Sequence, residues 1–195
     1  MKALSHLLTV NEHRRQVRRL CFKAGLYWQG LTHDLSKYSM AEFLVGAKYY
    51  QGNRSPNNAQ REQEGVSTAW LHHKGRNKHH LEYWVDYGLG DSVGLQGMRM
   101  PVKYVVEMLA DRIAACKTYQ KEGYTEESPL EYFKKGQKHL LLHKRSGKLL
   151  EMLLVMLKER GEEETFSFIR RHILSRDFIR RYESEETKGR TPGGL

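Results

Sequence analysis

The residues of this 195-residue chain best suited to chemistry are histidines and aspartates. The candidate set is His13, His33, Asp34, His73, one of His79 or His80, and Asp111. Imidazole nitrogen and carboxylate oxygen together suit Mn, Fe, Co, Ni, Zn or Mg, so the set points to one or two divalent ions. The adjacent pair His33-Asp34 can present one nitrogen and one oxygen to two bridged ions. Water on such an ion becomes hydroxide near neutral pH, which is the nucleophile that phosphate hydrolysis requires. The chain's two cysteines, Cys21 and Cys116, lie far apart and have no metal-ligand spacing, so buried free thiols are expected rather than a thiolate-rich structural zinc site or a disulfide.

Each candidate needs an element to hold it. Apolar residues Leu7, Leu8, Val10, Val17, Leu20 and Phe22 recur among charges, which predicts an amphipathic helix over Leu4 to Ala24 carrying His13 and stopped by Gly25. A short connection from Leu26 to Thr32 leads to His33-Asp34. Ser39 and Glu42 have capping-box spacing and open a second helix running to Tyr50. The stretch Gln51 to Gly65 has no apolar period and reads as a loop. Helical character resumes over Val66 to His73, before the basic break Lys74-Gly75-Arg76-Asn77-Lys78. Gly88, Gly90, Gly94 and Gly97 mark a flexible connection. Pro101 then starts a long helix to about Lys121, with Asp111 one turn from Glu107. Further helices are expected at Pro129 to Lys135, Gln137 to His143, Ser146 to Arg160 and Glu162 to Ser175, with Gly161 as a break. Few segments read as strands, so the expected class is all-α.

The order of a lone histidine on the first helix, then His33-Asp34, then downstream histidines and a helical aspartate resembles the HD superfamily of metal-dependent phosphohydrolases. The segment His33-Asp34-Leu35-Ser36-Lys37 looks like a His-Asp-x-x-Lys variant found in branches of that superfamily. A closer resemblance, over about Asn11 to Tyr119, is to a family of uncharacterised proteins classed as a domain of unknown function. It is carried by Gly30-Leu31-Thr32-His33-Asp34-Leu35-Ser36-Lys37, Trp70-Leu71-His72-His73, Asn77-Lys78-His79-His80-Leu81-Glu82-Tyr83-Trp84 and Glu107-Met108-Leu109-Ala110-Asp111.

The HD resemblance implies an HD-domain-like helical bundle over residues 1–122. A C-terminal helical extension over 123–183 would pack on it, and 184–195 would be a disordered tail. It also implies roles. His33 and Asp34 would ligate metal, with Asp34 able to bridge two ions and serve catalysis. His13 and Asp111 would complete the first site, and His73 with His79 or His80 would hold a second ion or the substrate. Lys37 would neutralise phosphate charge in catalysis and binding. The basic break, through Lys74, Arg76 and Asn77, is the expected substrate contact. Glu82 is a candidate to orient a ligand histidine.

Composition bounds the rest. Hydrophobic residues make up 39% and charged residues 29%, enough for a buried core. No apolar run is long enough to cross a bilayer and no signal peptide is evident, so a soluble cytoplasmic protein is expected. The net charge of +10 favours anionic partners, but the basic residues are spread along the chain. A small phosphorylated substrate, such as a nucleotide, is therefore expected ahead of nucleic acid. Most of the aromatic residues, Trp28 and Tyr38 among them, are expected in the core, with Tyr49 and Tyr50 at a substrate rim. His6, His139, His143 and His172 are expected at the surface or in ordinary hydrogen bonds. Two other functions suit the same ligands: a non-enzymatic metal-stabilised module that binds nucleic acid or an acidic protein, and di-iron oxygenase chemistry.

Overall fold

A computed structural model of the chain describes residues 1–89, 93–137 and 140–184. Among these the fold is all-α apart from one hairpin. The helices are α1 (Lys2–Ala24), α2 (Tyr27–Thr32), α3 (Met40–Lys48), α4 (Pro56–Glu64), α5 (Thr68–Lys74), α6 (Val102–Gln120), α7 (Ser128–Gly136), α8 (Lys144–Phe168) and α9 (Arg176–Ser184). The strands are β1 (Val85–Gly88) and β2 (Gly94–Gly97). No described helix is long and apolar enough to cross a membrane.

The long helices α1, α6 and α8 form the frame. Val17 and Leu20 of α1, Val106, Leu109 and Ile113 of α6, and Leu150, Leu153 and Leu157 of α8 share one buried cluster. Each such side chain contributes about 1.5–3 kcal/mol through burial. Phe133 of α7 and Phe166, beyond a kink in α8, join the same core. α1 ends where its apolar period ends: Gly25 takes the left-handed conformation (φ 84°), and the Leu26 N–H closes the helix on the Cys21 carbonyl.

Several expected elements are corrected. The connection Leu26 to Thr32 contains the short helix α2. The polar stretch 51–65 holds α4, started by Pro56 and stopped by Gly65. Its periodicity is hidden because its buried face is only Pro56, Ala59 and Gln60. The Gly-rich connection forms an antiparallel hairpin with Tyr87 opposite Leu95. Leu140 to His143 are not helical, and positions 138–139, including His139, lie outside the described residues. The expected break at Gly161 is present (φ 77°, ψ 174°), and the chain resumes as helix to Phe168 before a π turn over Ile169–Ile173. Of the expected tail only Ser184 is described, as the end of α9.

Candidate metal centre

The candidates are delivered by several separate elements. α1 supplies His13, the turn after α2 supplies His33 and Asp34, and the 3-10 turn Leu35–Tyr38 supplies Lys37. α5 supplies His73, the following turn His79 and His80, and α6 supplies Glu107 and Asp111 one helical turn apart. These elements converge on Asp34, which is fully buried.

Asp34 has left-handed backbone geometry (φ 53°, ψ 27°), a conformation costing a non-glycine residue about 1–2 kcal/mol. The surrounding turn is held from outside. Arg14 donates from Nε to the His33 carbonyl (2.8 Å), from one terminal nitrogen to the Leu31 carbonyl (3.2 Å), and from the other to the Tyr38 hydroxyl (3.0 Å). The residue with this strained backbone is the one whose two carboxylate oxygens both lie buried in the interior.

The two oxygens of Asp34 face two sets of ligands. On one side, His13 Nε2 lies 3.0 Å from Asp111 Oδ1 and 3.8 Å from Asp34 Oδ2. His33 Nε2 lies 3.3 Å from Asp34 Oδ2 and 3.6 Å from Asp111 Oδ1. On the other side, His73 Nε2 and His79 Nε2 lie 3.3 and 3.4 Å from Asp34 Oδ1. His80 joins this second set, its ring centroid 4.1 Å from that of His79. Within each set the ligand atoms lie within 4.8 Å of one another. Around one ion with ligand bonds near 2.0–2.2 Å, ligand atoms stand roughly 3–4.4 Å apart, so both sets have the right scale.

The polar bookkeeping supports the same reading. Nε2 of His33, His79 and His80 and Oδ1 of Asp34 are buried without an aligned hydrogen bond. Such atoms are costly inside a protein unless something completes their coordination. The opposite ring nitrogens of His33, His79 and His73 are held by carboxylates. Glu107 Oε1 accepts from Nδ1 of both His33 (3.0 Å) and His79 (3.1 Å). Glu42 accepts from Nδ1 of His73 and of His72, each at 2.7 Å. Fixing Nδ1 on a carboxylate sets the tautomer that leaves Nε2 free as a ligand.

Charge is balanced locally. Burial disfavours ionised Asp34, but His33, Lys37 and His73 outweigh it and hold the carboxyl well below its usual range. Burial likewise opposes a charged His33, and Asp34, Asp111 and Glu107 outweigh that, raising it well above the usual histidine value. His80 is pushed well down, by burial first and then by His79 and His73. Lys37 Nζ sits 2.7 Å from Asp34 Oδ2, and its side chain is partly exposed.

The structure thus brings together His13, His33, Asp34, Lys37, His73, His79, His80 and Asp111. It places both histidines of the His79-His80 pair by Asp34 and turns His72 away to Glu42. Asn77 is buried and donates to Ser36 Oγ and to the His73 carbonyl, both at 2.8 Å, so it braces the ligand-bearing turn. Arg76 is exposed and bonds the His72 carbonyl, while Lys74 is half-buried beside it. Glu82 is not the carboxylate that orients the ligands; its charge acts on Arg112. That task falls to Glu107 and Glu42. Glu42 is no capping-box acid: the Ser39 hydroxyl makes no cap hydrogen bond, and buried imidazole N–H groups claim the carboxylate instead. Tyr49 is buried against Glu64, away from any rim, whereas Trp28 and Tyr38 are exposed. His6 is buried rather than at the surface.

Fold and site together define a helical protein with a buried histidine–carboxylate cluster able to hold metal. The sequence model described as a family of unknown function, DUF5662, matches residues 2–156, and the chain belongs to that family. No curated protein and no solved structure matches it.

Proposed function

We propose that the chain is a metal-dependent phosphohydrolase of the HD type, acting on a nucleotide or another small phosphate ester. The observation that supports this most directly is the pair of nitrogen-and-oxygen ligand sets meeting on the two oxygens of Asp34. His13, His33, Asp34 and Asp111 would hold one divalent ion, and Asp34, His73, His79 and His80 a second. Bound divalent ions lower the pKa of a coordinated water and polarise a phosphoryl oxygen.

The chain's own residues supply the rest. Asp34 fixes the spacing of the two sets. Glu107 holds the rings of His33 and His79, and Glu42 that of His73, in one orientation, so these three ligands need little reorganisation. Lys37, whose side chain is 28% exposed, presents a compact cation at the edge of the set and offsets the charge of an incoming phosphate.

The test is phosphate release by metal-reconstituted protein across nucleotide and phosphomonoester panels, with metal content measured in parallel. Turnover and bound metal should both fall in His33→Ala. Absence of turnover with every ion, together with unchanged metal content in His33→Ala, would sink the reading. Oxygen consumption without phosphate release would point instead to oxygenase chemistry on the same ligands.

A further inference from the structure

Two exposed apolar surfaces of this chain carry opposite charge. The first is the hairpin. Its base is fixed: the Met98 N–H donates to the Trp84 carbonyl at 2.6 Å, and a Cβ on Gly97 would collide with the Leu141 carbonyl. Beyond the base, β1 and β2 pair only with each other among the described residues. Tyr87 is 77%, Leu89 89% and Val93 84% exposed, and Leu95, opposite Tyr87, is exposed as well. A lone two-stranded hairpin with uncovered apolar residues is marginal in water. The hairpin segment 85–97 has the acids Asp86 and Asp91 in its sequence and no Lys or Arg, in a chain with 33 basic residues.

The second surface lies on α2 and the turn after it. Trp28 is 72% exposed, and Leu31, one turn along the same helix, and Tyr38 are uncovered as well. Beside Leu31 and Tyr38 runs a cleft of about 210 Å³ lined by Arg14, Arg15 and Arg18. Arg15 is paired with Glu12, while Arg18 makes no ion pair among the described residues. Exposed apolar patches of this kind, rimmed by charge, mark interaction sites.

We infer that the hairpin of one copy docks on the Trp28–Leu31–Tyr38 surface of a second copy of this chain, in a two-fold dimer. Neither surface covers the other within one chain, since both are exposed. An acidic apolar arm fits a basic apolar receptor, and it does not fit an anionic lipid surface or nucleic acid. Two-fold symmetry uses the contact twice, so both arms and both receptors are covered. The pairing also gives the hairpin the apolar cover it lacks alone.

Light scattering coupled to size-exclusion chromatography, over a wide concentration range, tests this with three proteins. Wild type should dimerise. The arm variant Tyr87→Ser/Leu95→Ser and the receptor variant Trp28→Ser/Leu31→Ser should each raise the dimer Kd by roughly 100-fold, as loss of central apolar anchors does. All four positions are exposed, and unchanged circular dichroism and melting temperature confirm an intact fold. Mixing the two variants should recover a heterodimer, because one intact arm then meets one intact receptor. A wild type that stays monomeric overturns the inference. So does a receptor variant that dimerises normally, which would indicate arm-to-arm strand pairing, or a mixture that forms no heterodimer.

Discussion

His33 and His79 share one acceptor: Oε1 of Glu107 lies 3.0 Å from Nδ1 of the first and 3.1 Å from Nδ1 of the second. The two histidines belong to different ligand sets, so a single carboxylate orients a ring in each. Glu107→Ala should therefore weaken metal binding at both sets, by about 10–100-fold, the usual effect of losing such a partner. Glu107→Gln keeps an acceptor oxygen and should retain more affinity than the alanine variant. Competition titration with a chromogenic chelator reads both; equal affinity in wild type and Glu107→Ala would refute the coupling.

The arrangement around Asp34 makes a prediction of stoichiometry. Up to two ions should bind per chain. His80→Ala should leave one, because the first set is untouched. Asp34→Ala should leave none that survives gel filtration, since each set loses its shared oxygen. Elemental analysis of the three proteins separates these outcomes. Retention of two ions by Asp34→Ala would remove the bridging role.

How much of this was readable beforehand depended on what each residue does. Helices α1 and α6 were legible because Val17, Leu20, Val106, Leu109 and Ile113 repeat at helical spacing, and Asp111 stood out as an acid among them. Glu107 carried the same signal, an acid one turn earlier on a buried stretch, and could have been found by the same reasoning. Glu42 could not, because an acid three residues after Ser39 looks identical whether it caps a helix or turns inward. The hairpin was hidden by its glycines, which lower strand propensity while the pairing is made by backbone atoms. The left-handed turn at Asp34 depends on Arg14, twenty residues upstream in the sequence, and no local pattern reveals that contact.

The kink in α8 ties its second half to α1. Glu162, next to Gly161, accepts from Arg19 at 2.9 Å and Lys23 at 2.6 Å, and also from Lys117 of α6. Glu162→Ala would leave three cations facing a half-buried space, and should cost about 2–3 kcal/mol of stability. Gly161→Ala should cost about 1 kcal/mol or more, because its φ of 77° is strained for any side chain and the Glu126 carboxylate stands 3.0 Å from the new Cβ. Denaturant midpoints of both variants check these values, and a Gly161→Ala protein as stable as wild type would show that the break is not needed.

His6 provides a pH dependence separate from the metal ligands. Its ring packs against Phe43 and Tyr50, with centroids 5.4 and 5.8 Å away, and burial, helped by the charge of Lys37, pulls its pKa from 6.5 to about 4. The folded protein therefore keeps His6 neutral in a range where the unfolded chain protonates it. Below pH 6.5 the unfolded state binds more protons, so stability falls as pH drops. The contribution is fully present above pH 6.5, declines through the window down to about 4, and changes no further once both states are protonated. Other groups titrate in the same window, so the informative quantity is the difference between wild type and His6→Gln in chelator-treated protein. Wild type should lose more melting temperature than His6→Gln between pH 7 and pH 4, with the gap opening below 6.5. Parallel curves for the two proteins would mean that His6 is protonated in the folded state and that its packing tolerates the charge.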